Sequence, residues 1–347
     1  MAKVLAVFVD GFGRVARAPA VLLGVFLVML LMVIPPGLLV EAGIASGLGK
    51  SRVAEQMAGG VNLEWWDQYL ESATGLDRTF TPSVIGFAAV LDNLSRFLDN
   101  QSSPLALAAL GALYTVLWLF LIGGILDRLA RNRPLRAHAF FAACGTYFIR
   151  FLRLGLIAGA GYYVLFGIVH GWLFSSLAPW ATVDITVERT AFLLRLGLYV
   201  VFGALLTAWT ILLDYAKIRA VVEDRRSMLG AMIAGSRFVF RHPKKVALLW
   251  LLNGVCFLAV LGVYAMVAPG ATGSRTAVWA GFIVGQVYIA ARLFLKLLLY
   301  ASQTALFQMS LAHASYTATP VPMWPESPTV EAIANAAGTP KGDGLRS

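Results

Sequence analysis

Six long apolar stretches divide the chain, and each is about as long as a helix that crosses a membrane. Roughly 20 helical residues are needed to cross about 30 Å of hydrocarbon. The stretches lie at about 19–41, 104–126, 153–174, 190–213, 246–268 and 277–300. They predict an all-α integral membrane protein with six transmembrane helices.

The long segment at about 42–103 is predicted to be a helical insertion on the outer side. Trp65, Trp66 and Tyr69 have the amphipathic character of an aromatic belt at the membrane surface. Beyond them, Thr81 and Pro82 can begin a helix whose apolar residues recur at spacings of three and four. Such a helix lies on the surface or packs over the bundle, as a structural cap or as a lid over a cavity.

The last part of the chain differs in composition from the spans. After Ser315 come four closely spaced prolines, Pro320, Pro322, Pro325 and Pro328, and then small and polar residues to Ser347. Such a composition cannot bury enough apolar surface to fold. The sequence therefore predicts a six-span membrane domain over 1–315 and a disordered cytosolic tail over 316–347.

Composition agrees with a membrane location. Of 347 residues, 59% are hydrophobic and only 13% are charged, which is too few charges to cover a soluble globule. The net charge of +10 raises the question of nucleic acid. Because membrane proteins collect cations on cytoplasmic loops, we expect no nucleic-acid partner.

The distribution of Lys and Arg predicts the orientation. The segments before span 1, between spans 2 and 3, and between spans 4 and 5 hold 3, 6 and 8 of them, with Arg153 at the start of span 3 counted in the second segment. In the outer insertion the cations are outnumbered by acids. The positive-inside rule then places both termini in the cytosol, in a plasma membrane or bacterial inner membrane.

A short motif recurs ahead of the odd-numbered spans. Gly11, Val15, Arg17 and Pro19 align without gaps to Gly235, Val239, Arg241 and Pro243, and Cys144–Arg150 is a weaker third copy. The even-numbered spans end in a second shared element, at Ile125–Arg128, Leu212–Ala216 and Leu297–Ala301. The pattern predicts three parallel units of two spans, each preceded by a cytosolic amphipathic helix at about 4–16, 136–151 and 227–241.

The basic residues of these helices are candidates for contact with lipid or with a partner. We expect the guanidinium groups to lie near anionic headgroups, where each Lys or Arg contributes about 1 kcal/mol of attraction. The alternatives are anchoring of the bundle and docking of a protein on the cytosolic face. The candidate residues are Arg17, Arg150, Arg153, Arg237 and Arg241.

One segment resembles a known family. Residues 212–223, LLDYAKIRAVVE, followed by the helix from Gly235 to Pro243, are similar to the six-span membrane domain of bacterial glycerophosphodiester phosphodiesterases and related bacterial families. The resemblance implies the fold and an accessory role at the membrane. It implies no catalytic residue, because the sequence has no counterpart of the phosphodiesterase domain.

Motifs for catalysis are absent from the sequence. It contains no His-Glu-x-x-His, Cys-x-x-Cys, Gly-x-Ser-x-Gly or Walker pattern. We therefore predict a protein that is not an enzyme and that binds no metal or cofactor.

Two cations stand within the last span. Arg292 and Lys296 are four residues apart and share a helix face. Their heads either extend to the cytosolic phosphates or face inward toward Asp127 or Asp214, since charges inside a membrane usually pair or mark a pathway.

Two amides lie too deep to reach the surface. Gln286 and Asn253 are predicted to form hydrogen bonds between helices.

Together these features predict a non-enzymatic accessory or scaffold subunit. The alternative is a permease-like transporter of a lipid or an amphipathic solute.

Overall fold

The chain folds into helices joined by short connections. The computed structural model describes residues 1–49, 52–53, 56, 62–80, 86–268 and 275–311. The α-helices within these ranges are α1 (Ala2–Ala16), α2 (Pro19–Leu48), α3 (Leu63–Ser72), α4 (Phe87–Leu98), α5 (Leu105–Arg131), α6 (Ala137–Thr182), α7 (Glu188–Val222), α8 (Met228–Arg241), α9 (Pro243–Val267) and α10 (Arg275–Met309). The predicted tail at 316–347 lies outside the described residues.

Six of these helices, α2, α5, α6, α7, α9 and α10, are long and apolar enough to cross a membrane. Apolar side chains along them face outward: Leu31 is 67% exposed, Leu156 73% and Val200 65%. Such surfaces are unfavourable in water and favourable in lipid. The prediction of six spans is confirmed, and the chain is a multi-pass membrane protein.

Prolines separate two short helices from the spans that follow them. Pro19 begins α2 and Pro243 begins α9, where the missing N–H of proline costs nothing because the first turn has no acceptor for it. The residues just before them, Ala18 and His242, have nearly the same backbone angles, φ −127°, ψ 47° and φ −128°, ψ 43°. The two breaks that the sequence motif aligns therefore have the same local geometry.

The third copy of the motif has no such break. Arg153 stands where the other copies have proline, and α6 runs without interruption from Ala137 to Thr182, with π-helical turns at Val164–Val169 and Trp172–Leu177. The separate helices expected at 136–151 and 153–174 are thus one helix. At 1.5 Å per residue its 46 residues extend about 70 Å, so a large part lies outside about 30 Å of hydrocarbon.

The aromatic residues of the outer insertion form a small core. Trp65, Trp66 and Tyr69 are 9%, 3% and 6% exposed and pack with Phe80. A Cβ on Gly47 of α2 would lie 2.8 Å from the Tyr69 ring, so the cluster rests closely on that helix. Their rings thus cover one another, and the expected position at the membrane surface stays a prediction. The expected cap at Thr81 and Pro82 lies outside the described residues.

The main core lies at one end of the bundle. There α1, α8 and the first half of α6 meet the carboxyl ends of α5, α7 and α10. Its fully buried side chains include Ile122, Tyr147, Phe151, Tyr215 and Phe307. We name this region the basic end, because the motif arginines and the arginines that follow α5 and α7 lie in it.

Candidate functional site

Arg14 joins three helices at the centre of the basic end. Its Nη1 donates to the carbonyl oxygen of Leu129 at 3.0 Å and to Oε1 of Gln308 at 2.7 Å, and its Nε donates to Asp10 at 3.0 Å. Gln308 Nε2 in turn donates to the carbonyl of Ala130 at 3.0 Å. The last carbonyls of a helix lack partners within it, so α1 and α10 supply the donors that the end of α5 needs.

Glycines allow the helices of this region to touch. A Cβ on Gly11 would lie 2.8 Å from Cα of Ser302 in α10, and one on Gly235 would lie 3.0 Å from the amide nitrogen of Ala216 in α7. On α5, a Cβ on Gly124 would lie 2.6 Å from Sγ of Cys144. Gly145, aligned with the first two in sequence, has no atom within 4 Å of an added Cβ. Where α5 meets α6, the glycine that permits close packing is therefore Gly124 of α5, and not Gly145 of the motif in α6.

The two aspartates at span ends form ion pairs within their own helices. Asp127 accepts from Arg131 Nε at 2.8 Å, and Asp214 accepts from Lys217 Nζ at 2.7 Å. Both carboxylates are buried, at 4% and 2% exposure. The alternative in which Arg292 or Lys296 pairs with one of them is not seen, because a cation three or four residues away on the same helix already pairs with each carboxylate.

Lys296 points into the bundle toward aromatic rings. Its Nζ lies 3.6 Å from the centroid of the Trp118 ring, within cation–π distance. Trp118 stacks on Tyr300, whose hydroxyl accepts a hydrogen bond from Lys217 Nζ at 3.3 Å. Arg292 is exposed, with its guanidinium carbon 5.6 Å from the centroid of the Tyr288 ring. The two cations of the span therefore have different surroundings.

The two amides also differ. Asn253 is buried, and its Nδ2 donates to Ser302 Oγ in α10 at 3.3 Å and to the carbonyl of Leu249 at 2.9 Å. This is the hydrogen bond between helices that the sequence predicts. Gln286 is half-buried and makes no hydrogen bond to any residue that the structure describes. The expected bond of Gln286 is therefore not seen within the described ranges.

Arg150 forms an ion pair with a carboxylate of the protein itself. Its Nη1 lies 2.5 Å from Oδ1 of Asp224, which follows α7 and has a positive φ of 46°. Both side chains are largely buried, at 14% and 16% exposure. Asp224 thus neutralises Arg150, and the expected contact of Arg150 with phosphates stays a prediction.

The other motif arginines are exposed. Arg17, Arg153, Arg237 and Arg241 form no ion pair with any described side chain. Arg237 and Arg241 line a cavity of about 500 Å³ between α7, α8 and the end of α10. Arg219 and Arg225 line it too, but both bind Glu223, at 2.8 Å and 2.6 Å. Unneutralised guanidinium groups therefore remain available to an anion or an acidic surface.

Several residues that organise this region were not identified from sequence. Gln308 and Ser302 continue α10 past 300, where the apolar stretch ends, so hydropathy gave no reason to extend the helix. A polar run after a span, Ser302-Gln303-Thr304, was the available signal. Asp224 lies 74 residues from Arg150 in the chain, and no local pattern links the two.

The described part of the chain holds no group of three His, Cys, Asp or Glu side chains that could bind a metal ion. The sequence matches no protein-family model, and no curated protein and no solved structure matches it either. The site is therefore interpreted from its own chemistry.

Proposed function

We propose that the chain is a non-enzymatic accessory or scaffold subunit whose basic end lies in the cytosol and contacts anionic lipid headgroups or a protein partner. The observation that carries this proposal is the set of unpaired arginines Arg17, Arg153, Arg237 and Arg241 at one end of the bundle. Basic helices at a membrane surface combine such cations with apolar side chains that enter the headgroup layer.

The apolar residues beside these arginines support the same interpretation. On α8, Leu229, Ile233 and Phe240 are 65%, 57% and 74% exposed. On α1, Phe12 is 51% exposed. Exposed apolar groups next to unpaired cations fit an interface with a membrane surface or with an amphipathic partner better than they fit water.

The contacts among helices support the threefold organisation that the sequence motif predicts. The first half of α6 packs on α5, α8 packs on α7, and α1 packs on α10. Each short helix, or its counterpart in α6, thus rests on the second span of the preceding unit, and the N-terminal helix rests on the last span. In this proposal the three units close into a ring at the basic end, and the resemblance to the phosphodiesterase membrane domain concerns this architecture.

The proposal is tested by purifying the protein from its native membrane in a polymer nanodisc and comparing it with the variant R153Q/R237Q/R241Q. The three side chains are exposed and unpaired, so the variant is expected to fold. We expect it to lose anionic lipid, or a protein that copurifies with the unaltered chain, because its attraction for anionic surfaces is weaker. The measurement is the composition of the discs by mass spectrometry.

The control is R96Q/R189Q/R195Q, which removes three cations from the opposite end, where Arg96 and Arg195 lie beside Asp92 and Asp99. It should retain the lipids and proteins of the unaltered chain. The same composition in all three preparations would contradict the proposal.

A further inference from the structure

A mainly apolar groove lies between the start of α2, the carboxyl half of α5 and the start of α6. Its volume is about 480 Å³, within the usual range for sites that hold small molecules. Val21, Val25 and Val28 of α2 line it on one side, and Leu121 of α5 and Phe140 of α6 on the other. We name it the α2–α5 groove.

Two arginines line the same groove at the basic end. Arg17 is exposed, whereas Arg128 is only 4% exposed. Nη2 of Arg128 donates to the carbonyl oxygen of Arg17 at 2.8 Å, and Nη1 is buried and has no hydrogen-bond partner among the described residues. A buried donor without an acceptor is costly, and more so when it carries charge.

Carboxylates close to these arginines along the chain are already engaged. Asp127, beside Arg128, pairs with Arg131 at 2.8 Å, and Asp10 of α1 pairs with Arg14 at 2.9 Å. Within the described ranges neither Arg17 nor Arg128 forms an ion pair. The groove therefore carries two positive charges for which the described chain provides no anion.

We propose that the α2–α5 groove binds one anionic phospholipid, with its phosphate at Arg17 and Arg128 and an acyl chain along α2. Guanidinium groups bind phosphate through paired charge-assisted hydrogen bonds. The ten residues of α2 from Pro19 to Val28 rise about 14 Å, close to half of the 30 Å hydrocarbon layer. The groove thus changes from charged to apolar over the length of one lipid leaflet.

This site rests on the proposed contact with anionic lipid, but of the arginines that carry that proposal it uses only Arg17. The exposed Arg153, Arg237 and Arg241 do not line the groove. If no lipid is held in the groove but R153Q/R237Q/R241Q still loses anionic lipid from its discs, the groove site is refuted and the proposed function stands.

The test uses native mass spectrometry of the full chain after delipidation in detergent and addition of phosphatidylglycerol, phosphatidylcholine or inorganic phosphate. We expect one tightly held phosphatidylglycerol and no comparably held phosphatidylcholine. The variant R128Q should weaken binding about tenfold or more, because it removes a charged partner of the phosphate.

A second variant keeps the test valid if R128Q folds poorly. Gly24 lines the groove and has no atom within 4 Å of an added Cβ, so G24L should fill the acyl part and leave both arginines in place. Gly37 of the same helix has equally open surroundings and lies outside the groove, so G37L is its control. We expect G24L to lose the bound lipid and G37L to retain it.

Three results would overturn the proposal. The first is equal retention of the two lipids by the unaltered chain. The second is equal retention of phosphatidylglycerol by G24L and G37L. The third is binding of inorganic phosphate that is as tight as binding of phosphatidylglycerol and is unchanged in G24L. That result would identify a soluble phosphate as the ligand.

Discussion

Gly11 is the residue on which the contact between α1 and α10 depends most directly. An added Cβ would lie 2.8 Å from both Cα and the amide nitrogen of Ser302. These are backbone atoms, so they cannot rotate away as a flexible side chain would. The two helices approach this closely only because residue 11 has no side chain.

The substitution G11A is therefore expected to destabilise the protein by about 1 to 3 kcal/mol, the usual cost of overpacking a close contact. Its matched control is G145A, since Gly145 occupies the aligned position in α6 and has no atom within 4 Å of an added Cβ. There alanine should be neutral or slightly stabilising, because it favours the helix by about 1 kcal/mol over glycine. The measurement is thermal unfolding in detergent, and equal melting temperatures for the two variants would refute the role of Gly11.

Residue-level prediction from sequence succeeded where the interaction follows from the depth of a side chain in the membrane. Asn253 was correctly expected to bind a neighbouring helix, because an amide buried in a span has few other partners. The pairs that Asp127 and Asp214 form on their own helices, and the pair between Arg150 and Asp224, were not predicted. Which of several nearby cations pairs with a carboxylate depends on how the helices pack, and the spacing of residues along the chain does not reveal that packing.

At the scale of helices, the connection after α4 is fastened to α7 by Asp99. Its carboxylate accepts a hydrogen bond from the hydroxyl of Tyr199, and Arg195 lies 3.8 Å from it. The hydrogen bond from Tyr199 is the main cause that lowers the pKa of Asp99 below its ordinary value. Ser95, Arg195 and His170 lower this pKa further, while partial burial opposes them.

A lowered pKa in the folded state gives a definite sign to the pH dependence. Asp99 contributes stability at pH values above its unfolded pKa, near 4, and this contribution is lost as the pH falls through its lower folded value. We expect the unaltered chain to be more stable than Y199F from pH 6 to about pH 4.5. Below about pH 4 the difference should shrink as the pH falls toward the lower folded pKa of Asp99, where the carboxylate becomes protonated in the unaltered chain as well.

The measurement is thermal unfolding of the two proteins at a series of pH values. Y199F removes only the hydroxyl and keeps the ring that packs against Phe174. A change in stability therefore reports the lost hydrogen bond and not a loss of packed volume. A stability difference that stays constant down to pH 3 would rule out the contribution of Asp99.

Element boundaries were predictable where a breaker residue marks them. Pro19 and Pro243 stop α1 and α8 at the expected places. The boundary expected near 152 was wrong, since Arg153 replaces the proline and nothing else in that stretch opposes a helix. The packing of Trp65, Trp66 and Tyr69 on one another was not predictable, because composition alone does not distinguish a ring that faces headgroups from one that packs on its neighbours.

At the scale of the whole molecule, the proposed ring depends on contacts between the two ends of the described chain. Phe12 of α1 and Phe294 of α10 lie in edge contact, with ring centroids 5.4 Å apart. Aromatic rings also meet where α8 rests on α7, between Phe238 and Tyr215, with ring centroids 5.0 Å apart. Without the contact between α1 and α10 the three units would form an open row.

Closure of the ring is tested by a cysteine crosslink. In a background carrying C144A and C256A, the pair F12C and F294C should be joined efficiently by a short bifunctional thiol reagent, because the two side chains face each other. The control pair is F12C with F240C, whose phenylalanine side chain is 74% exposed on α8. In a closed ring each short helix rests on a different span, so this control should remain unlinked. Peptide mass spectrometry identifies the joined residues, and a crosslink in the control as strong as that in the first pair would exclude the ring.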